Sequence, residues 1–228
     1  LNKSEWFEKY AHKIPPQFID LSFINYSNKY INSNKIHIRI KRMADILLSL
    51  LLLFLTFPII FVVAILIKLE DNGPIFYKQV RTGLFEQKIT IRKLRSMRIN
   101  SENNGAVWAN KNDKRITKIG SYIRKTRIDE LPQLINVLIG DMSLIGPRPE
   151  RPQLEEKLNE KIPNYKFRHM IKPGLSGWAQ VNFPYGSSIS DSYEKLSYDL
   201  FYIQNKSIWL DLLIFIQTIK LILNMKGY

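Results

Sequence analysis

One long stretch without a formal charge, residues 46–67, dominates the hydrophobic pattern of the chain. A helix of this length can cross a bilayer core of about 30 Å. Pro58 lies near its middle, where the ring removes a backbone donor and clashes with the preceding turn. The pattern therefore predicts two shorter helices separated by a break. The stretch starts too far along the chain to be a removed signal peptide, so we expect it to remain.

Basic residues flank both ends of the apolar stretch, so the distribution of positive charge does not orient a span. They are Arg39, Lys41 and Arg42 before it and Lys68, Lys78 and Arg81 after it. This balance fits a hairpin whose two ends are both cytoplasmic. A kinked helix that crosses the membrane once is the alternative, and the pattern alone leaves both open.

Shorter patterns predict the remaining elements. Pro74 to Gln79 and Gln87 to Arg92 are β-prone stretches around Gly83, which predicts a small β-hairpin. Ser207 to Met225 is apolar but is interrupted by polar residues, so we expect an interfacial or core-packed helix and not a second span.

The chain before the apolar stretch reads as a connecting segment. Residues 1–37 contain the breaker Pro15-Pro16 and an Asn/Ser-rich stretch from Asn25 to Asn34, which predicts a loop or linker. Because the chain starts with Leu1, we expect it to continue from a longer protein. The predicted organisation is a linker over 1–37, a membrane helix over 38–72 and a larger body over 73–228.

Composition excludes several classes of site. With 34 basic and 20 acidic residues the net charge is +14, which implies a polyanionic partner such as nucleic acid, an anionic membrane surface or a phosphorylated substrate. The chain has no cysteine, which excludes disulfides, thiol nucleophiles and cysteine-type zinc sites. Its three histidines are scattered, which excludes a histidine-rich metal centre. Any metal would be held by oxygens.

The densest group of charged residues lies between Arg124 and Leu134, where three cations precede the adjacent carboxylates Asp129 and Glu130. Pro132 fits only the first turn of the following helix, so we expect Asp129 at or near an N-cap, where a carboxylate stays ionised and phosphate can bind. Side chains at neighbouring helix positions point in different directions, so we expect Asp129 and Glu130 to have separate roles and not to share a proton. An N-cap aspartate among solvated charges is the simpler interpretation.

Further cations on separate segments are candidate phosphate ligands. Gly146-Pro147-Arg148-Pro149 predicts a stiff turn that presents one guanidinium, that of Arg148. Other candidates are Lys93 and Arg95 in Lys93-Leu-Arg95-Ser-Met97, Arg81 in Gln79-Val-Arg81-Thr-Gly83, and the Gly-rich loop from Lys172 to Asn182. Taken singly, each of these segments is typical of a solvated surface.

Taken in order, these segments closely resemble the bacterial sugar transferases, the monotopic phosphoglycosyl transferases. The resemblance covers residues 38–228, including the Tyr193 to Asn205 segment and the closing Lys226-Gly-Tyr228. Its motifs are Lys41-Arg42-x-x-Asp45, the apolar run with its proline, Gly73-Pro-Ile-Phe-Tyr-Lys-Gln-Val-Arg-Thr-Gly83, Lys93-x-Arg-Ser-Met97, Asp129-Glu-Leu-Pro-Gln-Leu134, Gly140-Asp-Met-Ser-Leu-Ile-Gly-Pro-Arg-Pro149 and Lys172-Pro-Gly-Leu-Ser-Gly-Trp178.

The resemblance implies transfer of a sugar 1-phosphate from a nucleoside-diphosphate sugar, typically UDP-linked, to undecaprenyl phosphate, with release of UMP. The product starts a surface polysaccharide or glycoconjugate. The residue matching the family nucleophile is Asp129, which implies ping-pong kinetics through an aspartyl-phosphosugar. Glu130 would hold Mg²⁺, and Arg124 and Arg148 would contact phosphate oxygens.

The resemblance also implies a fold and a location. The fold class is α/β, with a small, mostly helical catalytic body that carries a short β-hairpin. A re-entrant helix-break-helix and interfacial helices would anchor this body at the cytoplasmic face of the bacterial inner membrane, against anionic lipids. The resemblance thus favours the hairpin, with its break at Pro58, over the single span. Self-association into a homo-oligomer is left open.

Two other functions compete with this interpretation. A basic, membrane-tethered binding module without catalysis would explain the charge, but the chain has no zinc ligands, RNP-like strands or helix-turn-helix pattern, so nucleic acid is not expected as a partner. An ordinary glycosyltransferase would release UDP and commonly carries an Asp-x-Asp motif, which is absent.

Overall fold

The computed structural model describes residues 3–19, 35–99, 101, 113–183, 186 and 188–224. The predicted loop from Asn25 to Asn34 and the closing Lys226-Gly-Tyr228 lie outside these described residues. Within them the protein is mostly helical and carries two small sheets. The predicted mostly helical fold with a short β-hairpin is confirmed.

The apolar stretch forms one continuous helix. After a single turn, α1 (Lys3–Trp6), the helix α2 runs over Lys35–Asp71 and contains Pro58 in its interior. The predicted break into two half-helices was therefore wrong. A proline removes one backbone donor, while the long run of good helix formers on both sides keeps its own hydrogen bonds. By length and composition α2 is the only helix among the described residues that could cross a membrane.

Both ends of α2 are bound to the rest of the protein. Near its start, Arg42 donates to the carbonyl oxygens of Val137 and Leu138 at 2.6 and 2.7 Å. Near its end, Glu70 accepts a hydrogen bond of 2.8 Å from the backbone N–H of Lys118. One face of α2 packs on the body along the helix, while most of its other apolar side chains are exposed.

The predicted β-hairpin is present. Strands β1 (Phe76–Thr82) and β2 (Lys88–Leu94) pair antiparallel, with Phe76 opposite Leu94 and Thr82 opposite Lys88. A short 3-10 turn, Leu84–Glu86, joins them. Between β2 and the next strand lie α3 (Lys118–Lys125), a 3-10 segment (Ile128–Gln133) and α4 (Leu134–Ile139).

A second, parallel strand pair was not predicted. Strand β3 (Ser143–Ile145) pairs with β4 (Gly174–Ser176), so the segment expected to be a Gly-rich loop contains a strand and then helix α6 (Trp178–Asn182). Between the two strands lie α5 (Pro152–Lys161) and a 3-10 segment, Tyr165–Met170.

Two long helices complete the chain. Helix α7 (Ile189–Gln204) begins with a capping box formed by Ser188 and Asp191, and its buried face supplies much of the main hydrophobic core. Helix α8 (Ile208–Leu223) buries Ile214 but leaves most of its apolar positions exposed, Trp209 at 80%. The prediction of a helix in this region is confirmed.

Part of the predicted linker lies against the body. Ile14 is buried in the main core, and its backbone N–H donates to the carbonyl oxygen of Ser197 at 2.8 Å. The indole Nε1 of Trp178 donates to the carbonyl oxygen of His12 at 2.9 Å. Residues 3–19 are thus attached to α6 and α7.

Candidate active site

The two adjacent carboxylates lie in the 3-10 segment Ile128–Gln133, which leads into α4. Arg127 precedes it in a left-handed conformation, with φ of 56°. Both Asp129 and Glu130 are buried, with 8% and 9% of their surface exposed. Asp129 is not an N-cap, because the α-helix begins at Leu134 and no side-chain capping bond is present at either helical segment. The predicted capping role was therefore wrong, whereas the predicted position near the start of the helical stretch is confirmed, since Asp129 is the second residue of the 3-10 segment.

Glu130 is surrounded by cations. Arg148 donates to both of its carboxylate oxygens, and the contact to Oε2 measures 3.2 Å. The Nζ of Lys93 donates to Oε1 at 3.1 Å, and a guanidinium nitrogen of Arg127 lies 3.9 Å from Oε2. Burial by itself raises the pKa of Glu130, but Arg148 and Lys93 outweigh it and hold this pKa well below its usual range. Glu130 is therefore ionised at neutral pH.

Asp129 has a different environment. Among the residues that the structure describes, its carboxylate makes neither a hydrogen bond nor a salt bridge. Burial, and then the charge of Glu130, raise its pKa from 3.8 to about 6, against the opposing effects of Lys93 and Arg124. Asp129 thus keeps its lone pairs unengaged beside a group of cations, as a nucleophile requires.

The turn Gly146-Pro147-Arg148-Pro149 brings its guanidinium to the carboxylate pair. About a third of the Arg148 side chain, 36%, is exposed, so an anionic ligand can reach it. The backbone of the turn is hydrogen-bonded on two sides, because Arg168 donates to the carbonyl oxygen of Arg148 at 2.8 Å and Arg81 donates to that of Pro149 at 3.2 Å.

Asn136 fixes the carboxylate segment relative to β2. Its Nδ2 donates to the carbonyl oxygen of Thr90 at 2.7 Å, and its Oδ1 accepts from the backbone N–H of Arg92 at 3.3 Å. Because Lys93 follows Arg92 directly, these bonds hold the backbone next to Lys93 against the helix that follows the carboxylates.

The predicted site residues divide into two groups. Lys93 and Arg148 contact Glu130, and Arg124 lies close enough to affect the charge of Asp129. Arg81 is paired with Glu150 at 3.3 Å at the edge of the site. Arg95 is not at the carboxylates, since it pairs with Asp71 at the end of α2. Pro58 lies inside α2.

Sequence reasoning missed Arg168 and Asp199, which form a buried ion pair of 2.9 Å beneath the Arg148 turn. No motif singled them out, because they lie on separate elements and each looks like an ordinary surface charge in the sequence.

The donor groups fit a magnesium ion only together with a substrate. Among the described residues no three carboxylate, histidine or cysteine side chains converge on one point. Magnesium is commonly held by one or two carboxylates together with substrate phosphates, and the Asp129–Glu130 pair supplies that number. The Glu130 oxygens are already paired with Arg148 and Lys93.

These features describe a protein with one long apolar helix that could anchor it in a membrane, and with a buried carboxylate pair among cations that suits phosphate chemistry. The model of one family, the bacterial sugar transferases, matches residues 36–225. The chain belongs to this family.

Three relatives show how far the similarity extends. UDP-N-acetylgalactosamine-undecaprenyl-phosphate N-acetylgalactosaminephosphotransferase of Aeromonas hydrophila is 48% identical over 184 residues, covering 81% of this chain and 44% of the relative. UDP-glucose:undecaprenyl-phosphate glucose-1-phosphate transferase of Klebsiella pneumoniae is 42% identical over 200 residues, 86% of this chain and 43% of the relative.

The protein of that same name from Caulobacter vibrioides is 39% identical over 181 residues, 78% of this chain and 68% of the relative. The chain therefore spans less than half the length of the Aeromonas and Klebsiella proteins.

Proposed function

We propose that this protein transfers a sugar 1-phosphate from a UDP-sugar to undecaprenyl phosphate, releases UMP and so initiates a surface polysaccharide or glycoconjugate. The names of its relatives support the two substrates and the reaction. The observation that carries the proposal is the contrast between two adjacent carboxylates. Glu130 is paired with cations, whereas Asp129 is buried among the same cations and has no hydrogen bond to any of the described residues.

The reaction has two displacement steps. In the first, an oxygen of Asp129 attacks the phosphorus next to the sugar, the phosphorus–oxygen bond to UMP breaks, and its electron pair leaves with UMP. In the second, a phosphate oxygen of undecaprenyl phosphate attacks the same phosphorus and restores the carboxylate. The lipid product is undecaprenyl-diphosphate-sugar, and the kinetics are ping-pong.

The cations neutralise the charge that opposes the first step. A carboxylate and a diphosphate repel each other, and positioned cations in a site of low dielectric reduce that repulsion most in the transition state. Arg148, Lys93 and Arg124 supply three such charges around Asp129. Mg²⁺, held by Glu130 and substrate phosphates, would add further neutralisation of the diphosphate.

The attachment of α2 supports its insertion into one leaflet, with both ends on the cytoplasmic side of the inner membrane. Arg42 and Glu70 bind the same body from opposite ends of the helix. A helix crossing the bilayer would carry one of these ends about 30 Å away, to the other side. Exposed side chains between them, such as Phe54 and Phe57, would face lipid, as would the exposed side of α8.

This topology predicts the labelling of two exposed positions, Arg39 and Lys78. The chain has no cysteine, so Arg39→Cys and Lys78→Cys each introduce a single thiol. We expect a membrane-impermeant reagent to label both from the cytoplasmic side only. Labelling of the two positions from opposite sides would establish a span.

The charge state of Asp129 predicts a pH dependence. Its pKa is raised to about 6, so the nucleophile gains a proton as the pH falls through that value. We expect the rate of UMP release in a single turnover without lipid to rise between about pH 5 and about pH 7 and then to level off. Because undecaprenyl phosphate is left out, protonation of its phosphate group does not contribute to this pH dependence. A rate that is constant over this range would contradict the assigned role.

The nucleotide product distinguishes the proposal from its rivals. Purified protein in detergent or nanodiscs is incubated with a UDP-sugar, Mg²⁺ and undecaprenyl phosphate. We expect UMP and a lipid-linked sugar diphosphate. Release of UDP would identify an ordinary glycosyltransferase, and the absence of any nucleotide product across a panel of UDP-sugars would favour a non-catalytic binding module.

A further inference from the structure

A buried group of polar side chains lies beneath the turn that carries Arg148. At its centre is Arg168, of which 7% is exposed and whose guanidinium reaches three acceptors. One nitrogen, Nη2, donates to the carbonyl oxygen of Arg148 at 2.8 Å and to Oδ2 of Asp199 at 2.9 Å. The other, Nη1, donates to the hydroxyl of Tyr165. Arg168 thus joins α7 to the Arg148 turn.

The ion pair between Arg168 and Asp199 is shielded from water. Asp199 is 2% exposed, and burial raises its pKa to about 6, while Arg168 beside it opposes this rise. A buried ion pair commonly adds no more to stability than apolar residues of the same volume. Stability alone therefore does not explain the pair. Its specific contact is with the backbone oxygen of Arg148, the residue whose guanidinium meets Glu130.

The hydrogen bond from Arg168 to the carbonyl oxygen of Arg148 restricts the direction of the Arg148 side chain. Arg148 lies between two prolines, so its backbone has few alternative conformations. A hydrogen bond to its carbonyl oxygen fixes the orientation of the peptide and with it the direction in which the side chain leaves the backbone. A displacement of about 1 Å at a reacting centre can cost about 100-fold in rate.

We propose that Arg168, held by Asp199, is a positioning residue that aligns the Arg148 guanidinium with the carboxylate pair. Neither residue touches the substrate, and both act through the backbone of Arg148. The inference rests on the proposed function, because Arg148 is taken to bind the diphosphate.

The test is a double-mutant cycle of Asp199→Asn with Arg148→Ala, measured as kcat/KM for UMP release from a UDP-sugar. Asparagine keeps the shape of the side chain but loses the charge that holds Arg168. We expect Asp199→Asn to lower kcat/KM about tenfold in the wild-type background and less than about twofold in the Arg148→Ala background. A purely structural role would lower both backgrounds by the same factor.

Two further variants complete the design. Arg168→Lys keeps a positive charge beside Asp199 but lacks the forked donor. We therefore expect it also to lower kcat/KM less in the Arg148→Ala background than in the wild-type background. If Asp199→Asn does not fold, Arg168→Lys takes its place in the test. Glu194→Gln is the control, since Glu194 lies on the same helix as Asp199, α7, and pairs with Lys13 at 2.8 Å. It should leave kcat/KM within about twofold.

Equal losses in both backgrounds, or no loss with either variant, would overturn the inference. The failure of the proposed function has a different signature. In that case the wild-type protein itself releases no UMP, so there is no wild-type kcat/KM with which the variants can be compared.

Discussion

Asp129→Asn is expected to abolish UMP release while leaving the fold intact. Asparagine has the same shape, but its amide lacks the charge that attacks phosphorus. We expect the rate to fall by about 1000-fold or more, which corresponds to about 4 kcal/mol in the barrier. Initial rates of UMP release at saturating Mg²⁺ measure this loss, with Glu194→Gln, which changes a carboxylate paired with Lys13, as the control that retains activity.

The stability of this variant is a second readout. The folded protein raises the pKa of Asp129, so ionisation of this carboxylate costs stability as the pH rises through about 6. At about pH 8 Asp129→Asn should therefore melt at the same temperature as the wild type or higher. If the variant folds and keeps more than about one tenth of the wild-type rate, Asp129 is not the nucleophile. Such a rate corresponds to an increase of less than about 1.4 kcal/mol in the activation free energy.

Glu130→Gln is expected to have the next largest effect, and by a different route. Glutamine leaves Arg148 and Lys93 without their shared counter-charge, so their side chains repel each other near the reacting centre. We expect the rate to fall about 100-fold or more and the Mg²⁺ concentration for half-maximal rate to rise. Titration of the initial rate with Mg²⁺ measures both.

Stability separates this variant from the preceding one. The pKa of Glu130 is lowered in the folded state, so its charge stabilises the protein above its unfolded pKa, and this contribution is lost as the pH falls through the folded value. Glu130→Gln should thus lower the melting temperature at about pH 8, since removing one member of a buried ion pair costs about 3–5 kcal/mol. An unchanged Mg²⁺ requirement would exclude Glu130 as a metal ligand, and an unchanged melting temperature would contradict the ion-pair network.

Local patterns were sufficient to predict several elements. The β-hairpin follows from β-prone stretches on either side of Gly83, and the apolar runs predict α2 and α8. The predicted break at Pro58 failed because one lost hydrogen bond does not end a helix whose neighbouring turns are all apolar and well paired.

The elements that escaped prediction depend on contacts distant in sequence. Strands β3 and β4 have three residues each and pair in parallel across 31 positions, from Ser143 to Gly174, so neither carries a local signal. The attachment of residues 3–19 depends on Ile14 entering a core built mostly by later helices.

The candidate site was only partly accessible from the sequence. Adjacency of Asp129 and Glu130 and the stiffness of the Arg148 turn are local properties. What separates the two carboxylates is their surroundings, because cations from β2 and from the Arg148 turn form ion pairs with Glu130, whereas among the described residues they form none with Asp129. Arg95 has the same chemistry as Lys93 two positions away, yet it lies under the end of α2, paired with Asp71.

The covalent intermediate is the most direct test of the account. Enzyme is mixed with excess UDP-sugar and Mg²⁺ without lipid, quenched rapidly, and examined for UMP and for intact protein mass. We expect a burst of at most one UMP per active site, an added phosphosugar mass that maps to Asp129, and neither of these in Asp129→Asn. UMP release that depends strictly on undecaprenyl phosphate, together with intersecting double-reciprocal plots, would contradict the covalent mechanism.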